Sequence, residues 1–165
     1  GVELFPTFNW PRDRLEYIIA GGEKAIFNAI EGAEDDKNIA FEEVTNKNIN
    51  SQDVIIGLAA SGNTPFTCKV LEEARNRNAL TIAISNNPKG KILRYGIFKI
   101  ILNTREEVIA GSTRLKAGTA QKICLNIISS MVMINMGKVK NGYMKDMIPT
   151  NNKLRKRKEF IKKNI

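Results

Sequence analysis

Asp53-Val54-Ile55-Ile56-Gly57-Leu58-Ala59-Ala60, then Ser61-Gly62-Asn63-Thr64-Pro65, then the run from Phe66 to Asn76, read as one strand–turn–helix unit. Asp53 to Ala60 is a continuous apolar strand without polar alternation, the pattern of a strand covered on both faces. Small and hydroxyl-bearing residues close it, and Pro65 suits the first turn of a helix, where its missing N–H costs nothing. Thr64 to Asn76 follows as a crossover helix. Thr81 to Ser85 and Ile97 to Leu102 are further strands, both rich in β-branched residues. Strands alternating with helices imply an α/β fold, a parallel sheet within three layers.

Working outward, Tyr17 to Ala20 reads as a short buried strand that Gly21-Gly22 turns into a helix. In Glu23 to Ile30, Ala25, Ile26, Ala29 and Ile30 recur at helical spacing, a face for packing on the sheet. Leu115 to Met136 is a long and almost uniformly apolar helix, expected in the core or at a subunit interface. A last helix, from about Asn151, carries the basic end of the chain. No internal repeat or low-complexity linker interrupts this order.

A chain of 165 residues with 42% hydrophobic and 26% charged residues has the composition of one ordinary globular domain. No apolar run reaches the length expected of a bilayer span, and no signal-peptide pattern opens the sequence. Cys68 and Cys124 suggest neither a disulfide framework nor a metal motif, and both fit buried thiols of a reducing cytoplasm. Histidine is absent. That removes the commonest general base and His-ligated metals, and leaves carboxylates to carry protons. The net charge of +9 sits almost wholly in the last 28 residues, where ten lysines and arginines face only Asp146 and Glu159. Without aromatic interleaving or a reader motif, this tail reads as a solvated helix face rather than a nucleic-acid surface.

Two segments have the chemistry of an anion cradle. The turn Ser61 to Pro65 lies at the carboxyl end of a parallel strand, where open α/β sheets bind ligands. Ser61 and Thr64 offer hydroxyls and Gly62 permits close backbone approach; a plain strand-to-helix turn would have the same composition. In Val108-Ile-Ala-Gly-Ser112-Thr113-Arg114-Leu-Lys116-Ala-Gly-Thr-Ala-Gln-Lys122, hydroxyls and positive charge precede a helix. Such a start presents free N–H groups to an anion, though a capped helix start would read the same.

The wording of that second segment is more specific than its chemistry. It resembles the signature of the N-acetylmuramic acid 6-phosphate etherases, sugar-isomerase-domain (SIS) proteins related to the glucokinase regulatory protein. Val2-Glu3-Leu4-Phe5-Pro6-Thr7-Phe8 is similar to the family's Glu-x-x-Pro-Thr element. Ile18 to Glu23, Glu31-Gly32-Ala33-Glu34-Asp35, Ala59 to Phe66 and Ser85-Asn86-Asn87-Pro88 match further landmarks in the same order. The resemblance runs from about Val2 to Leu154.

It implies an SIS domain over residues 1–150 with a basic helical tail over 151–165. Family members carry a preceding strand, glycine-rich loop and helix. The sequence therefore reads as a central and C-terminal portion, a fragment or a naturally shortened protein, with a sheet edge and an apolar helix face left open. The implied activity is that of a carbon–oxygen lyase that cleaves the D-lactyl ether of N-acetylmuramic acid 6-phosphate by elimination and then hydration. This would serve amino sugar catabolism and peptidoglycan recycling in the cytoplasm. Glu3 matches the family's proton donor and Glu34 its second acid/base residue, while residue types alone make Glu31, Glu34, Asp35 and Asp36 an acidic helix end and loop. Ser61, Gly62, Thr64, Ser112, Thr113 and Lys116 are implied to hold the sugar phosphate. No metal or cofactor is implied, the partner is a second copy in a homodimer, and no membrane or nucleic acid is expected. A non-catalytic regulator that binds sugar phosphates is the alternative, and a ketose–aldose isomerase is a third reading. Two departures stand out: Asn63 replaces the usual Arg, and Lys140 to Asp146 swaps an Asn–Gly order and places Lys145 where the family has an apolar residue.

Overall fold

The computed structural model describes residues 1–164. Its helices and strands in chain order are α1 (Leu4–Phe8), α2 (Lys37–Asn46), β1 (Val54–Ala59), α3 (Pro65–Asn76), β2 (Leu80–Ser85), β3 (Phe98–Ile101), α4 (Lys116–Asn135), β4 (Val139–Lys140), β5 (Tyr143–Met144) and α5 (Asn152–Asn164). The chain forms two compact units, one of residues 18–123 and one of residues 1–17 with the segment from Cys124 onward.

In the larger unit β1, β2 and β3 form a parallel sheet in that order, with Val54 opposite Leu80 and Ile82 opposite Phe98. Parallel neighbours need a crossover, and α3 supplies the one between β1 and β2. Two sides of α3 are buried. Phe66, Val70 and Ala74, each four residues apart, meet Ala40 and Val44 of α2, while Cys68 and Leu71 meet Ala59 and Ala83 of the sheet. Helix and sheet approach closely because Gly57 has no side chain: a Cβ there would lie 2.7 Å from Leu71 Cδ1. Side chains alternate along a strand, so Val54 and Phe98 belong to the opposite face, and there they are 54% and 57% exposed.

The strands at 53–60, 81–85 and 97–102 and the helix after Pro65 agree with the sequence reading to within a residue or two. Two expected elements do not form. Tyr17 to Ala20 makes no strand: no ladder partner pairs with it, and Ile18 and Ala20 pack on the α2–α3 cluster instead. Glu23 to Ile30 yields only a 3-10 turn at Glu23–Ile26, because its helical face finds nothing to cover it; Ile26 is 62% and Phe27 84% exposed. Conversely, α2 was not anticipated. Its start is set by Asp36, whose carboxylate accepts the Asn38 and Ile39 N–H groups at 2.9 and 3.0 Å.

Helix α4 corrects the sequence reading twice. Its apolar stripe Ile123, Ile127, Met131 and Ile134 is largely exposed rather than in the core of this chain. By length and composition alone, Lys116–Asn135 also reaches what a bilayer span requires, which the sequence reading had excluded. Gln121, Lys122, Asn126, Ser129 and Ser130 give the same helix polar side chains beside that stripe. The expected interface role is compatible with the exposed stripe.

In the smaller unit, β4 and β5 form a hairpin, with Lys140 opposite Tyr143. Asn141 and Gly142 both have positive φ, 51° and 78°. Asn–Gly is the pair a two-residue hairpin turn favours, so the swapped order in this segment has a local structural reason. Lys138 pairs with Asp146 at 2.8 Å across the hairpin ends. The Ile148 N–H donates to the Pro6 carbonyl at 2.9 Å, and Met133, Met147 and Ile161 are buried.

Candidate functional site

The turn after β1 is built by two loops that interlock. Gly62 adopts φ 70°, and its N–H donates to the Ala59 carbonyl at 3.0 Å. The loop after β2 then closes on it. Asn86 N–H donates to the Ala60 carbonyl at 3.2 Å, Asn87 Nδ2 to the Ser61 carbonyl at 3.0 Å, and Ile92 N–H to the Gly62 carbonyl at 2.9 Å. A Cβ on Gly62 would lie 2.5 Å from Gly90 Cα and 2.4 Å from Ser85 Oγ. The packing of the neighbouring loop therefore demands glycine here, independently of any ligand.

Asn63, which stands where the family usually has Arg, is part of the same clamp. Its Oδ1 accepts the Lys91 N–H at 3.2 Å and its Nδ2 donates to the Ser61 carbonyl at 3.2 Å. The Asn63 N–H donates to Ser61 Oγ at 3.2 Å. That bond uses a lone pair of Ser61 and leaves its hydroxyl proton for an incoming acceptor. Ser61 is exposed and Thr64 half-buried at the mouth of the turn.

Glu34 lies on a 3-10 turn, Ala33–Asp35, on the surface of the same unit. With Thr64, Leu58 and Ile30 it lines an open cleft of about 620 Å³. The structure thus brings a carboxylate and one hydroxyl of the first cradle to a common cavity. Glu3 belongs to the other unit, immediately before α1, and is exposed. It lines a cleft of about 510 Å³ with Trp10, Arg12 and Tyr17. Neither glutamate is buried.

At the start of α4 the expected free N–H groups are taken. Leu115 N–H donates to the Ser112 carbonyl at 3.3 Å, Gly118 N–H to the Thr113 carbonyl at 2.9 Å, and Thr119 N–H to the Leu115 carbonyl at 3.0 Å. The two amides between them, Lys116 and Ala117, donate to the carboxylate of Glu107 at 3.0 and 2.8 Å. The chain supplies its own anion at this helix end. Those bonds, led by the one from Ala117, hold the Glu107 carboxyl below the usual carboxylate range. The Lys116 ammonium is hydrogen-bonded to the Glu106 carbonyl. Ser112 is half-buried, while Thr113 and Arg114 are exposed on the loop.

Three residues of this architecture were not singled out from the sequence as functional: Asn86, Asn87 and Glu107. Asn86, 9% exposed, donates through Nδ2 to the Leu102 carbonyl at 3.0 Å and accepts from Gln121 at 3.0 Å, joining the sheet's carboxyl end to α4. The signal was the segment Ser85-Asn86-Asn87-Pro88, which had no assigned role. Among the described residues no group of three His, Cys, Asp or Glu side chains could hold a metal. Burial pushes the Cys68 thiol above its ordinary value, an inert core position.

A parallel sheet with a hydroxyl-bearing turn at the carboxyl end of β1 and a loop-to-helix segment before α4 fits the SIS class, and residues 3–75 match the model of the glucokinase regulatory protein N-terminal SIS domain. Within that class the chain is similar to the N-acetylmuramic acid 6-phosphate etherases. It is 47% identical over 156 residues to the protein of that name from Deinococcus radiodurans, covering 94% of this chain and 51% of the relative. The Shouchella clausii relative is 46% identical over 160 residues (97% and 54%), and that of Lactobacillus johnsonii 47% over 153 (93% and 51%). The chain spans about half the length of these curated relatives.

Proposed function

We propose that this chain carries the etherase activity named in its relatives, as a carbon–oxygen lyase acting on the D-lactyl ether of N-acetylmuramic acid 6-phosphate in the cytoplasm. The observation that carries the reading is the identity at about 46% over nearly the whole chain. The products are N-acetylglucosamine 6-phosphate and D-lactate. The sugar reacts as its open-chain aldehyde, because only there is the proton at carbon 2 acidified by a neighbouring carbonyl. Glu34 takes that proton. Glu3 protonates the departing lactate oxygen at carbon 3, which is otherwise a poor leaving group, and water then adds to the unsaturated intermediate. Each proton transfer contributes roughly 10²- to 10⁴-fold in rate.

Ser61, Thr64, Ser112, Thr113 and Lys116 receive the 6-phosphate, with Gly62 holding the first loop. The free proton of Ser61 and the cleft shared by Thr64 and Glu34 support this assignment. The exposed stripe of α4 supports a homodimer, in which its apolar side chains leave water.

Run in heavy-oxygen water, the reaction labels the new hydroxyl at carbon 3 and leaves lactate unlabelled, and in deuterated water it places deuterium at carbon 2. Label in the lactate would mean hydrolytic displacement and overturn both glutamate roles. Retained sugar-phosphate binding without D-lactate release would mark a sugar-phosphate-binding regulator instead.

A further inference from the structure

We propose that Glu107 is a positioning residue of the sugar-phosphate site: its carboxylate closes the start of α4 against anions and thereby holds the loop of residues 108–115 in the shape that presents Ser112 and Thr113. This deepens the functional reading above and rests on it.

An α-helix leaves its first N–H groups without intrahelical partners, and a phosphate is the usual guest of such an end. Here the amides of Leu115, Gly118 and Thr119 are engaged by backbone carbonyls. Only Lys116 and Ala117 are left over, and Glu107 takes both, one with each carboxylate oxygen. None of the five amides from Leu115 to Thr119 remains for a ligand. The Lys116 ammonium, held on the Glu106 carbonyl, tightens the same segment from the other side.

Two consequences follow. First, residues 107 and 116 are pinned together, so the intervening loop is a closed ring rather than a free strand, and its hydroxyls are preorganised. Second, a phosphate arriving at this loop meets hydroxyls rather than a bare helix terminus. A bare terminus binds any small anion; hydroxyls on a fixed loop demand a correctly placed one. Glu107 thus trades generic anion affinity for selectivity between a sugar phosphate and inorganic phosphate.

The test uses the full chain and follows the Lys116 and Ala117 amides by NMR during separate titrations with inorganic phosphate and with N-acetylglucosamine 6-phosphate. In the wild type, inorganic phosphate leaves both amides unmoved. In Glu107→Ala it shifts both, and its affinity rises on the order of 5-fold, the scale of an anion at a helix start. The sugar phosphate moves the opposite way, weakening about 10-fold as the loop loses its tether. A merely structural role predicts that both ligands weaken together. That result overturns the proposal, as does inorganic phosphate shifting these amides equally in both proteins. Should Glu107→Ala fail to fold, Glu107→Gln keeps the size of the side chain but turns an NH₂ toward one of the two amides, and the same opposed changes are expected. A wild-type chain that does not bind N-acetylglucosamine 6-phosphate would remove the functional reading, while the inorganic-phosphate arm still decides whether Glu107 closes the helix.

Discussion

Replacing Gly62 with alanine tests the interlocked loops most directly. Gly62 has φ 70°, where an L-residue is strained by about 1–2 kcal/mol. Its new Cβ would also sit 2.5 Å from Gly90 Cα and 2.4 Å from Ser85 Oγ. Gly90 is backbone and Ser85 is fully buried and held by Asn87, so neither can swing aside. Forcing such an overlap costs roughly a further 1–3 kcal/mol. Gly111 provides the control within the same unit, since its φ is 78° but nothing lies within 4 Å of its would-be Cβ. Gly111→Ala should therefore lose only the conformational part. For a chain of this size each kcal/mol moves the melting temperature by about 2–4 °C. Thermal unfolding followed by circular dichroism should show a drop of about 10 °C for Gly62→Ala and about 4 °C for Gly111→Ala. If the two variants melt together, the loop closing on Gly62 does not constrain it, and the clamp described above is not a stabilising feature.

Asp36→Ala removes the side chain that caps α2, and calorimetry should register a loss of about 1 kcal/mol, with Asp36→Asn recovering most of it. Asn86→Ala leaves the Gln121 amide and the Leu102 carbonyl without their buried partner, a cost of about 1–3 kcal/mol measurable by urea unfolding. The Glu107 carboxyl is held below its ordinary value, so its bonds stabilise the fold above the unfolded-state value and are lost as pH falls through the lowered one. Urea midpoints of wild type and Glu107→Gln should therefore differ most near neutrality and converge in acid.

The class of fold was legible because it rests on local pattern. A strand such as Asp53 to Ala60 declares itself by an unbroken apolar run, and α3 by Pro65 and its periodic side chains. The same local logic misread Tyr17 to Ala20 and Glu23 to Ile30. Both have the right residues for a strand and a helix, but among the described residues the first finds no strand to pair with and packs on the α2–α3 cluster instead, while the second leaves Ile26 and Phe27 uncovered. Helix α2 was missed for the converse reason: its apolar content is low, and Ala40 and Val44 make it a core element only once α3 lies beside them.

The segments proposed for the site were legible in the sequence, because wording such as Ala-Gly-Ser-Thr-Arg-Leu-Lys-Ala-Gly-Thr carries a family resemblance that no single contact does. How those segments hold one another emerges from the folded chain. Glu107 and the amides of Lys116 and Ala117 are nine and ten residues apart, and Asn87 reaches the Ser61 carbonyl from 26 residues away. A hydrogen bond depends on distance and direction between groups that the chain brings together late. Residue type reveals that a glutamate can accept two N–H groups; folding alone selects which two.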